Sequence, residues 1–299
     1  MSAQLKYSFK KENAQFFRTF KLWGIVLAIF GFAVFNPLSY KLSGMLFSQL
    51  NSNQQSVTAT VQVNDVSDSG SPMDDLLGGM GIGDMAAMYT NADSMLSLSL
   101  VNFTMYSLLI ILLVMMSVAG GEQKKRAMIV PMCSGLKFKN YLIPKFVIYP
   151  LWVFALTFLG GLTAGGLCNA LADEGKVSFG MIALGSLLIA VYISFIVTVY
   201  LSLGLCTSRP GLMAGAVFIG QTILQTMLDG MGLGDYQPFT TVTVVSGMFT
   251  PGYDLNEKIP SILVSVGLSI VIGVLMFFLA LGVLNAKKID NTEEEKPAF

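Results

Sequence analysis

The chain has 299 residues, 54% of them hydrophobic and only 12% charged, a composition too apolar for a surface that meets water on all sides. Eighteen Lys and Arg balance eighteen Asp and Glu, and their segregation along the chain explains the basic clusters without a nucleic acid or an acidic substrate. There is no His, which excludes His-based zinc sites and serine or cysteine catalysis through an imidazole.

Residues 1–21 carry Leu5, Phe9, Phe16, Phe20 and, just beyond, Trp23 on a helical repeat, while Lys6, Lys10, Lys11, Arg18 and Lys21 fill the other faces. This pattern predicts an amphipathic interfacial helix on the inner leaflet, where basic residues favour anionic lipid; a basic topogenic leader without fixed structure is the alternative. A first span follows near 22–40. It ends in Asn36-Pro37-Leu38-Ser39-Tyr40 without a small-residue cleavage pattern and is expected to stay as an anchor.

Residues 41–95 form the one sizeable polar stretch, an extracellular loop that reads as a cap or lid. Within it Val57–Val63 alternates like a strand, 65–72 reads as a flexible break, and Met73–Met88 reads as a short glycine-rich helix resting on the membrane. Met73, Met80, Met85, Met88 and Met95 offer thioethers for Cu(I), against the commoner use of methionine as apolar filler.

A second span near 96–119 leads into a loop at 120–145. There Glu122 precedes the basic run Lys124-Lys125-Arg126, an apolar quartet ends at Pro131, and Ser134 is placed to cap the next helix. The product is a short amphipathic helix on the membrane face, suited to a groove on a cytoplasmic partner; a solvated loop whose charges only set topology is the alternative.

Further spans fall near 146–171, 179–206, 211–228 and 260–284, each close to the twenty residues needed to cross about 30 Å of hydrocarbon. Gly161 with Gly165, and Gly211 with Gly215, offer faces for close helix approach. In the fifth span Gln221, Gln225 and Asp229 step by four beside Thr222 and Thr226, giving a polar face that either lines a substrate path or bonds helices together. Residues 238–251 are apolar but too short to cross, as a re-entrant or interfacial element would be. The tail is 285–299.

With the N-terminus inside, the basic residues collect on the cytoplasmic side and leave only Lys41, Lys176 and Lys258 outside. The fold class expected is therefore an all-α, multi-pass cell-membrane protein forming a single domain over 1–299, with six spans and both termini cytoplasmic. Of the cysteines, Cys133 and Cys206 fall near the inner side and Cys168 near the outer, so no internal disulfide is expected.

The order Glu122, Ala127–Val130, Pro131, Ser134, Lys145 between the second and third spans resembles the coupling loop of ABC-2 type permeases, the six-helix membrane half of many ATP-driven exporters. Arg126-Ala127 departs from the Gly-Thr of many members, and the apolar run is poor in leucine. The resemblance extends to the interfacial N-terminal helix, the long first outer loop and the membrane-dipping segment before the last span. It implies a second permease, identical or paralogous, and ATPase subunits that bind ATP and Mg, since no G-x-x-x-x-G-K-[ST] loop occurs here. It also implies a coupling role for Glu122, Lys124, Lys125, Arg126 and Pro131, outward movement of a peptide, drug or lipid-like amphiphile, and no enzymatic activity or cofactor on this chain itself. An ion-coupled carrier and a non-transporting immunity or assembly protein are the rival classes. The carrier would need ionisable groups near the midplane, whereas Asp229 lies at the outer edge of its span.

Overall fold

Six helices long and apolar enough to cross a membrane organise the described part of the chain. The computed structural model describes residues 3–18, 20–60, 89–119, 137–207, 209–250 and 252–294. Helix α1 is Ala3–Arg18, and the spans lie in α2 (Phe20–Thr60), α3 (Ala92–Ala119), α4 (Phe138–Leu171), α5 (Phe179–Cys206), α6 (Pro210–Gly230) and α8 (Leu255–Glu294). A single 3₁₀ turn, Gly234–Tyr236, and the eight-residue helix α7 (Thr240–Gly247) lie between α6 and α8. Among the described residues there is no strand, only one isolated bridge between Asn91 and Glu174. Multi-pass, all-helical architecture is what hydrocarbon permits, since it offers the backbone no hydrogen-bond partner.

The chain alternates direction at each crossing. Tyr141, Leu142, Leu205 and Leu284 cluster at one end, bringing together the start of α4, the end of α5 and the late part of α8. At the other end Ala92 N–H donates to Glu174 O at 2.9 Å, and Asn169 pairs with Val177 through both its amide atoms at 2.7 and 3.0 Å, closing the α4–α5 connection. Gly175, at φ +74°, supplies the left-handed turn in that connection. Ser178 then caps α5, its hydroxyl accepting from Met181 N–H at 3.4 Å, and Pro210 opens α6 where a missing N–H costs nothing.

Packing between spans gains little from the hydrophobic effect, because lipid tails are as apolar as the side chains, so close contact carries it. Glycines on α4 make that contact. A Cβ at Gly161 would lie 2.7 Å from Ser186 Oγ of α5, one at Gly165 would collide with Ile182 of α5, and one at Gly160 with Ile29 of α2. In α6, Gly211 closes on Met116 of α3 while Gly215 faces open space. Helix α8 is inverted relative to a water-soluble helix: Ser261, Ser265 and Ser269 are buried, whereas Leu263, Ile270, Val271, Val274 and Phe278 are exposed. That arrangement suits a helix whose outer solvent is lipid.

The structure moves several boundaries. The first helix does not end at residue 40; it runs through Pro37 to Thr60, so residues 41–60 of the expected loop are helical. Pro37 removes one ladder bond, but tertiary contacts hold the helix across it: Asn36 Nδ2 donates to Ser99 O at 3.5 Å, Asn102 Nδ2 to Tyr40 OH, and Lys41 pairs with Asp173. The alternation at Val57–Val63 accordingly gives no strand over 57–60, which belong to α2; residues 61–63, like Met73–Met88, lie outside the described residues. Met95 is fully buried in the core of α3. The helix expected to start at 146 starts at Phe138, and the last begins at Leu255 and continues to Glu294.

The contrast between two glycines of α4 is measurable. Gly161→Val should lower the stability of the purified protein by about 1–3 kcal/mol through overpacking against Ser186. Gly166→Val, whose side chain would enter open space, should stay within about 0.5 kcal/mol of wild type. Thermal melts in one detergent compare the two directly.

Candidate functional site

The end of the bundle that carries α1 is basic. Lys6, Lys10, Arg18, Lys137, Lys139 and Arg209 are exposed there, and Glu12 is buried. The segment 120–136 leaves α3 and re-enters α4 at this end. Glu122, Lys124, Lys125, Arg126, Pro131, Ser134 and Cys133 lie within it, outside the described residues.

Its flanks are described. Ala119, the last residue of α3, is buried where α5 comes close at Gly204; a Cβ there would lie 2.8 Å from that of Ala119. Lys145 is not the loop's last residue but lies two turns inside α4, a correction with an electrostatic reason. A lone ammonium would end a span, but this one is paired: Lys145 Nζ is 3.2 Å from Glu12 Oε1, with the two side chains 1% and 2% exposed. Tyr149 OH donates to Glu12 Oε2 at 3.1 Å, and the ammonium sits 4.9 Å from the centre of the Tyr141 ring.

Around this pair α1 is seated along its length. Asn140 Nδ2 donates to Gln4 Oε1 at 3.1 Å, and Trp152 Nε1 donates to Asn13 Oδ1 at 3.2 Å. Phe16, fully buried, meets Tyr149 edge-on at 5.7 Å and stacks near Trp152 at 6.0 Å. The buried stripe of α1 is thus Ser8, Glu12 and Phe16, four residues apart, rather than the wholly apolar row the sequence offers. Trp23 is largely exposed. Glu12 escaped the sequence reading although a signal was present: it is the first acid of the chain, and the next is Asp65.

The polar face of α6 is brought against neighbours at every step. Gln221 is buried and its Oε1 accepts from Tyr192 OH of α5 at 2.8 Å. One turn on, Gln225 Nε2 donates to Thr243 Oγ1 of α7 at 3.3 Å, and Asp229 Oδ1 accepts from Gln237 Nε2 at 2.6 Å. Thr226 bonds back to Thr222 O at 2.9 Å. Thr240 Oγ1, 2.9 Å from Gly234 O and 2.8 Å from Gln237 O, closes the turn that leads into α7. Helix α7 turns Thr240, Thr241, Val244 and Val245 into the core and leaves Thr243 and Ser246 exposed.

Beside Gln221 a cleft of about 400 Å³ opens between α5, α6 and α8, lined by Phe195, Val199, Met213, Gly220 and Met276. A second, of about 500 Å³, lies between α4, α5 and α8, with Phe146, Val191, Ser269 and Gly273 on its walls. Both are lined mainly by apolar side chains, the second with the hydroxyls of Ser194, Thr198 and Ser269 among them, and suit apolar or amphiphilic matter.

Comparison with known proteins adds no relative: no family model, no curated protein and no solved structure matches this chain.

The Tyr192–Gln221 bond has a measurable worth. Gln221→Leu strands the Tyr192 hydroxyl in the core, whereas Tyr192→Phe combined with Gln221→Leu removes both ends. A double-mutant cycle on thermal stability should give a coupling of about 1 kcal/mol, the range for hydrogen bonds between membrane helices.

Proposed function

We propose that the chain is the permease subunit of an ABC-2 type, ATP-driven exporter that carries an amphiphilic compound outward across the cell membrane. The observation that carries this reading is the sequence of the loop between α3 and α4, with Glu122, the basic run Lys124-Lys125-Arg126 and Pro131 in the order of a coupling segment. Its support from the fold is positional. The loop emerges beside α1 at the basic end of a six-crossing bundle, the end that the distribution of Lys and Arg assigns to the cytoplasm.

In this reading the ATPase subunits are separate chains that hold ATP and Mg. Closure of their dimer presses on residues 122–131 and favours one packing of the spans over another, which is how binding energy on one polypeptide becomes movement in a second. A second permease, identical or paralogous, completes the membrane half. The apolar clefts beside α8 are consistent with a peptide, drug or lipid-like cargo.

The test is co-purification from membranes in mild detergent with an ATP-hydrolysing partner. Replacing Lys124, Lys125 and Arg126 together by Glu should abolish recovery of that partner, or leave the complex with ATPase activity no longer responsive to transported compound. An unaltered complex with unaltered transport-dependent hydrolysis contradicts the coupling assignment.

A further inference from the structure

The contacts of the N-terminal helices with α4 and the turn that follows it keep an almost constant register. Gln4 meets Asn140, Glu12 meets Tyr149, Asn13 meets Trp152 and Lys41 meets Asp173, at sequence separations of 136, 137, 139 and 132 residues. Two helical segments related in this way run parallel, side by side. So α1 does not merely precede the first span: it lies along the first four turns of α4, and α2 continues along the rest.

Helix α4 has 34 residues, about 51 Å at 1.5 Å per residue, against roughly 30 Å of hydrocarbon. The surplus is what α1 covers. Apolar contact alone tolerates a slip of one turn, because Leu5, Phe9 and Phe16 would meet other apolar side chains of α4. A buried ion pair does not tolerate it. Sliding α1 by one turn would bring Ser8 or Phe16 opposite Lys145 in place of Glu12, and would separate two buried charges that now lie 3.2 Å apart.

We propose that the Glu12–Lys145 pair is a register lock, joining α1 to the first four turns of α4 as one body. The loop 120–137 feeds directly into that part of α4, so a push on the loop moves α1, and through it the head of α2, together with α4. The lock stands on the contacts alone; its use in transport rests on the permease reading, and failure to recover an ATPase partner would remove that use without touching the distances below.

The experiment measures spin-label distances between Lys10→Cys and Lys139→Cys, both exposed sites, in the full chain with its native cysteines replaced and the protein in lipid nanodiscs. A second pair, at Lys176 and Asn256, reports the far end of the bundle. The wild-type background should give one narrow distribution for Lys10/Lys139. Glu12→Gln or Lys145→Met alone should broaden it, shifting the docked-to-undocked ratio by about a hundredfold, since one buried charge is then unpaired. Glu12→Gln with Lys145→Met should recover most of the docked population, because no uncompensated charge remains. A distribution unchanged in both single variants overturns the lock, and so does a double variant that loses as much as the singles combined. Should the far-end pair show that a single variant has not folded, the charge-exchanged Glu12→Lys/Lys145→Glu protein decides: a narrow Lys10/Lys139 distribution supports the lock, and a broad one overturns it.

Discussion

The contact between α1 and α4 leaves no water to solvate an unpaired charge, and that constraint fixes how the start of this chain sits on its third crossing. Lys145 lies inside α4 because Glu12 is there to meet it, with Tyr149 completing the carboxylate's shell and Tyr141 placing its ring by the ammonium. Neither group alone would be tolerated. Together they specify a position for α1 that its apolar side chains leave degenerate, which is the best-attested role of buried ionic groups.

From that joint the rest of the arrangement follows along α4. Its glycines bring α2 close at Gly160 and α5 close at Gly161 and Gly165, so the first and fourth crossings share the third as a common wall. Helices α6 and α8 sit outside this group and show broad apolar faces, with exposed Leu212, Ile219 and Ile223 on one and Leu263, Ile270 and Phe278 on the other. One cleft opens between α5, α6 and α8, the other between α4, α5 and α8.

The crossings themselves were legible in the sequence, because a run of apolar residues long enough to span hydrocarbon has few other uses; α5 was read to the residue, 179–206. Helix ends were less legible, since tertiary bonds override local breakers: Pro37 and Lys145 look like stops until Ser99 and Glu12 are brought beside them. The period-two alternation at residues 57–60 was outweighed by continuation of α2. Gln221, Gln225 and Asp229 were visible as a polar face, but their partners, Tyr192, Thr243 and Gln237, come from other segments and no spacing on α6 names them. Glu12 is hard to read in the sequence because a single acid among apolar and basic residues carries no periodicity of its own.

The orientation of the basic end underlies both the functional reading and the path by which a partner would act. Single cysteines at Lys10, Lys139, Lys176 and Asn256, exposed positions at the two ends, allow it to be measured with a membrane-impermeant maleimide on intact and permeabilised cells. Labelling of 176 and 256 in intact cells, with 10 and 139 reacting only after permeabilisation, is the predicted result. Reaction of 10 or 139 in intact cells would put the loop 120–137 outside, out of reach of ATP and of any subunit that hydrolyses it, and would contradict the account.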